Sequence, residues 1–254
     1  MFYRVNDMAI QGSTVIVPSI SVGNIPQLSV DLLIGTLNPV LVGYISHENL
    51  IPVVGPNAFH GQSAPMCAPC EVYYQAAHHM IILQIRGAIV PGSEKEFSHI
   101  LCEWMLFLQP KRVIILMSVA AEIRQDKDIN GCQIRFALPS NLKSQLSDEL
   151  LNLGWFAYRS PSTCSLDASL IGDDTNGKLN APSGGYGQHL YEIGIKKGLP
   201  LLGIMMFAYE GDNETEALAL VNAVNSYLSL EITCWKRPIS WALLYGSSPP
   251  PGLY

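Results

Sequence analysis

Short apolar runs recur along the chain, and amphipathic stretches separate most of them. The apolar runs predict buried strands and the amphipathic stretches predict helices. The predicted strands are 14–18, 40–45, 71–74, 80–85, 112–118 and 199–209, and the predicted helices are 25 to about 37, 94–108, 140–151 and 213–230, with a further amphipathic segment at 190–195. Because strands and helices alternate throughout, we predict a single-domain α/β protein, a three-layer α/β/α sandwich.

Two local patterns refine this prediction. Strands 14–18 and 40–45 flank the first helix, and such a βαβ unit favours direct parallel pairing of the two strands. Asn24 and Asn213 precede helical segments, and Gln27 and Glu216 follow three residues later. This spacing predicts a capping box at the start of each helix.

The domain boundaries follow from the same pattern. Residues 160–183 are the longest stretch of low hydrophobicity, but strand and helix alternation resumes after them. They therefore predict a loop or insertion within one domain. We expect an α/β domain over residues 1–234 and an irregular C-terminal tail over residues 235–254.

Composition changes the picture of the surface. Hydrophobic residues make up 48% of the 254 residues and charged residues only 14%, well below the ~25% charged residues usual in soluble domains. Some of the surface must therefore be apolar, and exposed apolar patches mark interfaces. We expect an obligate protein partner.

The net charge and the lengths of the apolar runs argue against a nucleic acid and a membrane as partners. The net charge is −6, and no basic cluster is longer than Lys196 and Lys197, so we expect no nucleic-acid partner. No apolar run approaches the ~18 residues of a transmembrane helix, so we expect no membrane partner. Residues 1–11 lack the apolar core of a signal peptide. We therefore expect the six cysteines to be reduced thiols and the protein to be cytoplasmic and nuclear.

Cys67 and Cys70 have the spacing of half a zinc site or of a redox pair. A zinc site needs four ligands, usually including a second such pair, and a redox pair should open a helix after a strand. Here the two residues lie in a Pro-rich loop without a second Cys pair. We favour two ordinary thiols, with a zinc-dependent adaptor as an alternative, and expect no metal and no cofactor.

Glu210 and Asp212 follow a predicted strand, where α/β enzymes place their sites. With the turn at Gly184 and Gly185 they could serve a hydrolase or transferase. Helix capping equally explains the acids, and tight packing explains the glycines. No motif supplies a nucleophile with its base, so we expect no enzyme.

The last residues of the sequence suggest a docking tail. Three prolines, 249–251, stiffen the chain into an extended form, and Gly252, Leu253 and Tyr254 follow. A stiff segment tipped by an aromatic ring and a carboxylate suits a pocket with an apolar wall and a cation. The alternative is a disordered or self-docked terminus.

Several collinear blocks resemble the proteasome assembly chaperone 2 family. They are residues 21–28, 31–33, 36–38, 50–55, 71–73, 83–86, 112–116, 184–185, 210–213, 217–218, 240–241 and 243–247. Their order and spacing are specific, and residues 160–183 match poorly.

The resemblance implies a fold similar to nucleoside phosphorylases, without catalysis. It also implies a heterodimer with proteasome assembly chaperone 1 that binds the α-subunit ring of the core (20S) proteasome and promotes its assembly. In the wider family, tails with a hydrophobic residue, a tyrosine and any final residue insert between α subunits. This chain departs from that pattern, because Leu253 is penultimate and Tyr254 is last.

Overall fold

The computed structural model describes residues 1–60, 65–159 and 178–243. Within these ranges, one sheet of nine strands forms the middle of the molecule. The strands are β1 (Phe2–Arg4), β2 (Thr14–Pro18), β3 (Val40–Ile45), β4 (Cys70–Gln75), β5 (Met80–Ile85), β6 (Arg112–Ala120), β7 (Ile134–Ala137), β8 (Phe156–Ala157) and β9 (Leu201–Ala208).

Helices cover both faces of the sheet. They are α1 (Ile25–Leu37), α2 (Glu94–Phe107), α3 (Asp126–Ile129), α4 (Ser140–Asn152), α5 (Gly187–Lys196) and α6 (Glu214–Leu228). Helices α1, α4 and α6 pack into one apolar core, and α2 and α5 pack into another on the opposite face. The predicted three-layer α/β/α sandwich is confirmed.

The central strands are apolar throughout because both of their faces are covered. Along β6, Val113 and Ile115 enter the core beneath α2 and α5, whereas Ile114 and Leu116 enter the core beneath α1 and α6. All four side chains are fully buried. Successive side chains of the strand enter opposite cores, so neither face of the strand needs polar residues. The sequence of the strand is therefore a continuous apolar run.

Strand order sets the position of the candidate site. The order is β1-β3-β4-β5-β2-β6-β9-β7-β8. Strands β5, β2, β6 and β9 are parallel to one another, while β4 and β7 run antiparallel to their neighbours β5 and β9. The carboxyl ends of the four parallel strands therefore meet along one edge of the sheet.

The predicted pairing of the strands that flank α1 is wrong. Strands β2 and β3 run in the same direction, but the hairpin of β4 and β5 lies between them. The hairpin pairs antiparallel with β3 on one side, and β5 pairs in parallel with β2 on the other. The prediction missed this because the βαβ pattern indicates strand direction but not which strand inserts between the two.

The two predicted capping boxes are also wrong. Asn24 lies in the left-handed region (φ 53°) and makes no side-chain cap, and the Gln27 side chain donates to the Ile85 carbonyl instead. The buried Asn213 donates to the carbonyls of Tyr209 and Gly211. At Gln27 a tertiary contact replaces the predicted bond, whereas the Asn213 side chain bonds to carbonyls two and four residues before it in the chain.

The segment after residue 235 includes a short 3-10 helix, Ile239–Leu243. Trp241 is buried in the core that holds α1 and α6, and the backbone N–H of Ser240 donates to the Ala58 carbonyl at 3.1 Å. The predicted domain boundary at residue 235 stays a prediction. None of the helices in the described ranges has the length and apolar character needed to span a bilayer.

Candidate interaction site at the carboxyl edge of the sheet

The crevice between the carboxyl ends of β2 and β6 is where an open α/β sheet usually holds a ligand. Here serine hydroxyls that bond to the protein itself occupy that position. Ser118 donates from its hydroxyl to the Val22 carbonyl (2.5 Å) and from its backbone N–H to Ser21 Oγ (3.0 Å). The Ser21 hydroxyl therefore donates to Ser118 Oγ, 2.7 Å away. No hydroxyl hydrogen of this pair remains for a ligand.

The glycine turn before α5 closes the same crevice. Ser19 donates from its hydroxyl to the Gly184 carbonyl (2.6 Å) and accepts the backbone N–H of Gly187 (2.9 Å). At Gly185 (φ +65°), an added Cβ would lie 1.9 Å from the Ile20 carbonyl oxygen. The turn thus packs directly on the backbone after β2, which agrees with the close-packing interpretation of these glycines.

Glu210 and Asp212 lie beyond the end of β9, and both are exposed. Asp212 Oδ1 accepts the backbone N–H of Glu214, the first residue of α6, at 3.2 Å. Asp212 therefore supports the start of a helix, as the capping interpretation predicted, although it stands one residue before the N-cap position, which Asn213 occupies without a side-chain cap bond.

Cys67 and Cys70 are both buried free thiols. Burial raises the pKa of Cys67, and it raises the pKa of Cys70 to about 12. A redox pair needs a thiolate of lowered pKa, so this environment disfavours redox chemistry. Among the described residues, no three His, Cys, Asp or Glu side chains group together to hold a metal.

A buried polar network lies beside this crevice, between α1 and β5. Arg86 contacts Asp31 at 2.6 Å, and Gln84 donates to the same carboxylate oxygen at 2.6 Å. The Asp31 side chain is only 5% exposed. Burial alone would lower the pKa of Arg86, but the charge and hydrogen bonds of Asp31 raise it above its ordinary value. The Arg86 guanidinium therefore stays charged, and its contact with Asp31 joins α1 to the end of β5.

A second buried carboxylate extends the network to β4. Glu71 is 2% exposed and accepts the backbone N–H of Ala68 (3.0 Å) and the Tyr73 hydroxyl (2.8 Å). Burial and the charge of Glu71 raise the pKa of Tyr73 far above its ordinary value, so this tyrosine remains a hydrogen-bond donor. We call the side chains of Asp31, Glu71, Tyr73, Gln84 and Arg86 the buried polar network.

The network supports a loop whose outer side is apolar. Ile51, Val53, Val54 and Met66 are 39%, 46%, 68% and 65% exposed, and we call these four side chains the apolar loop surface. The backbone N–H of Cys67 donates to the Gly55 carbonyl at 2.9 Å, which joins the two limbs of the loop. The expectation of exposed apolar surface is thus met at a defined place.

Sequence reasoning missed both the network and the loop surface as functional features. Residues of the network belong to blocks 31–33, 71–73 and 83–86, which are far apart in the chain and meet only in the fold. One signal was available: from residue 49 to residue 70 the sequence contains no Asp, Glu, Lys or Arg. The tail residues Gly252, Leu253 and Tyr254 lie outside the described residues.

The fold and this edge together define a three-layer α/β protein in which, among the described residues, bonded serines and a glycine turn pack at the crevice and a loop at the same edge exposes apolar side chains. Comparison with known proteins gives the family. The model of the PAC2 family matches residues 15–234. The chain therefore belongs to the PAC2 family.

Curated relatives match over nearly the whole chain. A protein of Danio rerio named proteasome assembly chaperone 2 is 34% identical, with 96% of this chain and 95% of the relative covered. The protein of the same name from Homo sapiens is 30% identical, with 96% and 95% covered.

Solved structures share the fold. Pyrococcus furiosus PbaA, described as an archaeal homolog of proteasome-assembly chaperone, is 16% identical with a TM-score of 0.63, and 92% of this chain and 88% of PbaA are covered. Pyrococcus furiosus PbaB, described as an archaeal proteasome activator, is 17% identical with a TM-score of 0.63, and 91% and 90% are covered.

Proposed function

We propose that this protein is a non-enzymatic chaperone for assembly of the core (20S) proteasome. It acts as a heterodimer with proteasome assembly chaperone 1 and binds the α-subunit ring, in the cytoplasm and the nucleus. The observation that carries the proposal is the match to curated relatives named proteasome assembly chaperone 2 along nearly the full length of both chains.

Two features of the structure support a binding role over a catalytic one. The crevice between β2 and β6 is filled by Ser21, Ser118 and the Gly185 turn. The adjoining loop exposes apolar side chains. Buried hydroxyls that are already bonded have no hydrogen to offer a substrate, whereas exposed apolar area gains free energy when a protein covers it.

We further propose that Gly252, Leu253 and Tyr254 contact the α ring. A buried tyrosine covers ~150–250 Å², which corresponds to roughly 4–6 kcal/mol before ordering costs. One tail would therefore bind weakly. If each chaperone of the heterodimer offers a tail, binding of the first tail raises the effective concentration of the second at the ring, so the pair would bind more tightly.

The test is co-expression of a tagged chain with proteasome assembly chaperone 1 and the α subunits of the same species. We expect the tagged chain to purify with both, and ring intermediates to accumulate faster with it than without it in native gels. Purification of the chain alone, with unchanged ring assembly, would refute the proposal.

A further inference from the structure

We propose that a cavity at the C-terminal end of α1 holds the chain's own residues 249–254 when no ring is bound. This occupant is a segment of the same chain that lies outside the described residues. The docking itself does not depend on the proposed function. Its consequence rests on that function, because residues 252–254 are also proposed to contact the α ring, so the cavity and the ring would compete for one tail.

The cavity has an apolar wall that contains two aromatic rings. It lies on the face of the sheet that α1 covers and has a volume of about 220 Å³. Its apolar lining includes Ile34, Leu41, Phe59, Tyr73 and Pro238. The Phe59 ring packs edge-on against Tyr73, with ring centroids 6.4 Å apart, and lies 5.8 Å from the Arg86 guanidinium. The buried polar network therefore holds this wall in place before anything docks on it.

The first argument is the match between this wall and a proline-rich segment. Residues 249–251 are three consecutive prolines, and none of residues 244–254 has a charged side chain. Proline-rich segments dock on grooves lined by aromatic rings. Because prolines already hold the backbone extended, such a segment loses little entropy when it docks. The aromatic wall formed by Phe59 and Tyr73 therefore suits these prolines and the Tyr254 ring that follows them.

The second argument is the supply of hydrogen-bond donors. Asn38, His60, Lys236 and Arg237 also line the cavity. Arg237 pairs with Glu214, whereas the Lys236 ammonium forms no ion pair with any residue in the described ranges. A polyproline segment has no internal hydrogen bonds, and its prolines carry carbonyl acceptors but no N–H donors. Donors beside an apolar wall are therefore complementary to this segment.

The third argument is the short connection between the cavity and the tail. Residues 236–238 line the cavity, and the 3-10 helix Ile239–Leu243 follows them directly. The buried Trp241 and the bond from the Ser240 N–H to the Ala58 carbonyl fix this helix on the domain. The six residues 244–249 span at most about 20 Å when extended. A connection this short gives an effective concentration in the millimolar range, so even weak docking is populated.

The experiment identifies what the end of the tail touches in the full chain. Tyr254 is replaced by p-benzoylphenylalanine, a photo-crosslinking amino acid that keeps an aromatic ring at this position. After irradiation, mass spectrometry maps the crosslinked residues. We expect intramolecular crosslinks to residues 34–41, 57–60 or 236–238, which line the cavity. Their yield should not depend on protein concentration, because the tail and the cavity belong to one chain.

Two variants of the cavity are compared with a matched control. Phe59→Ala should lower the crosslink yield at least about tenfold, because it removes apolar wall, and Lys236→Glu should lower it about threefold, because an exposed cation contributes less. The control Lys196→Glu makes the same charge change on α5, on the opposite face of the sheet, and should leave the yield unchanged. If Phe59→Ala lowers the melting temperature, Lys236→Glu decides the result.

The consequence is tested by ring recovery. With Tyr254 unchanged, Lys236→Glu should recover about threefold more α ring than Lys196→Glu, because fewer tails are held in the cavity. Unchanged recovery would show that the cavity does not compete with the ring. Crosslinks that avoid the cavity would overturn the docking, and covalent dimers that increase with concentration would assign the cavity to the tail of a second copy. If the natural chain recovers no ring, the proposed function fails, while the crosslinks still decide the docking.

Discussion

At the scale of single residues, close backbone packing at the carboxyl edge depends on glycine. Gly185 has a positive φ and lies against the Ile20 carbonyl, and Gly23 (φ +68°) lies against the Asn213 side chain. In each case a Cβ would overlap an atom of another segment. These positions therefore set how closely the loops after β2 and β9 and the turn before α5 approach one another.

Gly185→Ala should lower the free energy of unfolding by more than about 2 kcal/mol. The Cβ would lie 1.9 Å from a backbone oxygen, and the positive φ adds about 1 kcal/mol of strain. Urea denaturation measures the change. Gly154→Ala is the matched control, because Gly154 has φ +79° and open space around it. An equal loss in both variants would show that φ strain alone explains the effect.

Cysteine reactivity should follow burial. Burial raises the pKa of Cys70 and of Cys102 to about 12, so at pH 8 only about one thiol in ten thousand would be a thiolate. We expect iodoacetamide to label the exposed Cys234 and to spare Cys70 and Cys102 in the folded protein, as read by mass spectrometry of each residue. Rapid labelling of Cys70 at pH 8 without unfolding would contradict this.

The same burial predicts how stability depends on pH. A thiol whose pKa is higher in the folded state stabilises the fold fully below its unfolded pKa and loses this contribution as pH rises. We expect Cys70 to reduce stability as pH rises from about 9 toward 12. Cys70→Ala should reduce the slope of the unfolding free energy against pH in that window. An identical slope in the variant would remove the thiol as the cause.

At the scale of elements, the buried polar network joins α1, β4 and β5 beneath the apolar loop. Asp31 on α1 meets Arg86 just after β5, and Glu71 on β4 holds the backbone of Ala68. A buried ion pair adds little net stability compared with apolar packing, but the loss of one partner leaves an uncompensated charge. The network therefore fixes how these elements meet.

Arg86→Met should lower the free energy of unfolding by about 2–4 kcal/mol, because Asp31 would remain buried and unpaired. The double variant Asp31→Leu with Arg86→Met should recover much of that loss. The control is Arg4→Met, since Arg4 and Asp7 form a surface ion pair of 2.7 Å, close to the 2.6 Å of Arg86 and Asp31, and surface pairs contribute about 0–1 kcal/mol. Equal losses at the two sites would show that burial does not matter here.

At the scale of the whole molecule, a large sheet covered on both faces leaves the edges and loops as the places where partners can bind. Strands of the same direction bring the loops after β3, β5, β2 and β9 to one edge, so the apolar loop surface and the crevice between β2 and β6 lie along the same edge. The proposed contact through residues 252–254 would add a second point of contact.

Deleting residues 252–254 should weaken recovery of the α ring by at least about tenfold and leave the fold and the pairing with proteasome assembly chaperone 1 unchanged. The reason is loss of the apolar area of Leu253 and Tyr254. Tyr254→Phe is the control, since it keeps the ring and removes only the hydroxyl. Pull-down with purified rings measures the effect, and undiminished recovery with the truncated chain would remove the tail from the proposal.

Much of the fold followed from the sequence. The apolar runs located six of the strands and the longer helices because a strand buried on both faces must be apolar at every position. Strands β1, β7 and β8 were missed, since they have only two to four residues each, which gives no clear period.

Thus the sequence was enough to predict most of the strands and helices, the three layers and the shortage of charge that suggests a protein partner. These follow from local periodicity and composition, which each segment carries alone. The tertiary structure alone decided that the β4 and β5 hairpin inserts between β2 and β3, that Asp31, Glu71 and Arg86 meet, and that serines and glycines close the crevice. Those features depend on contacts between segments tens of residues apart, and such contacts are set by the packing of the whole sheet.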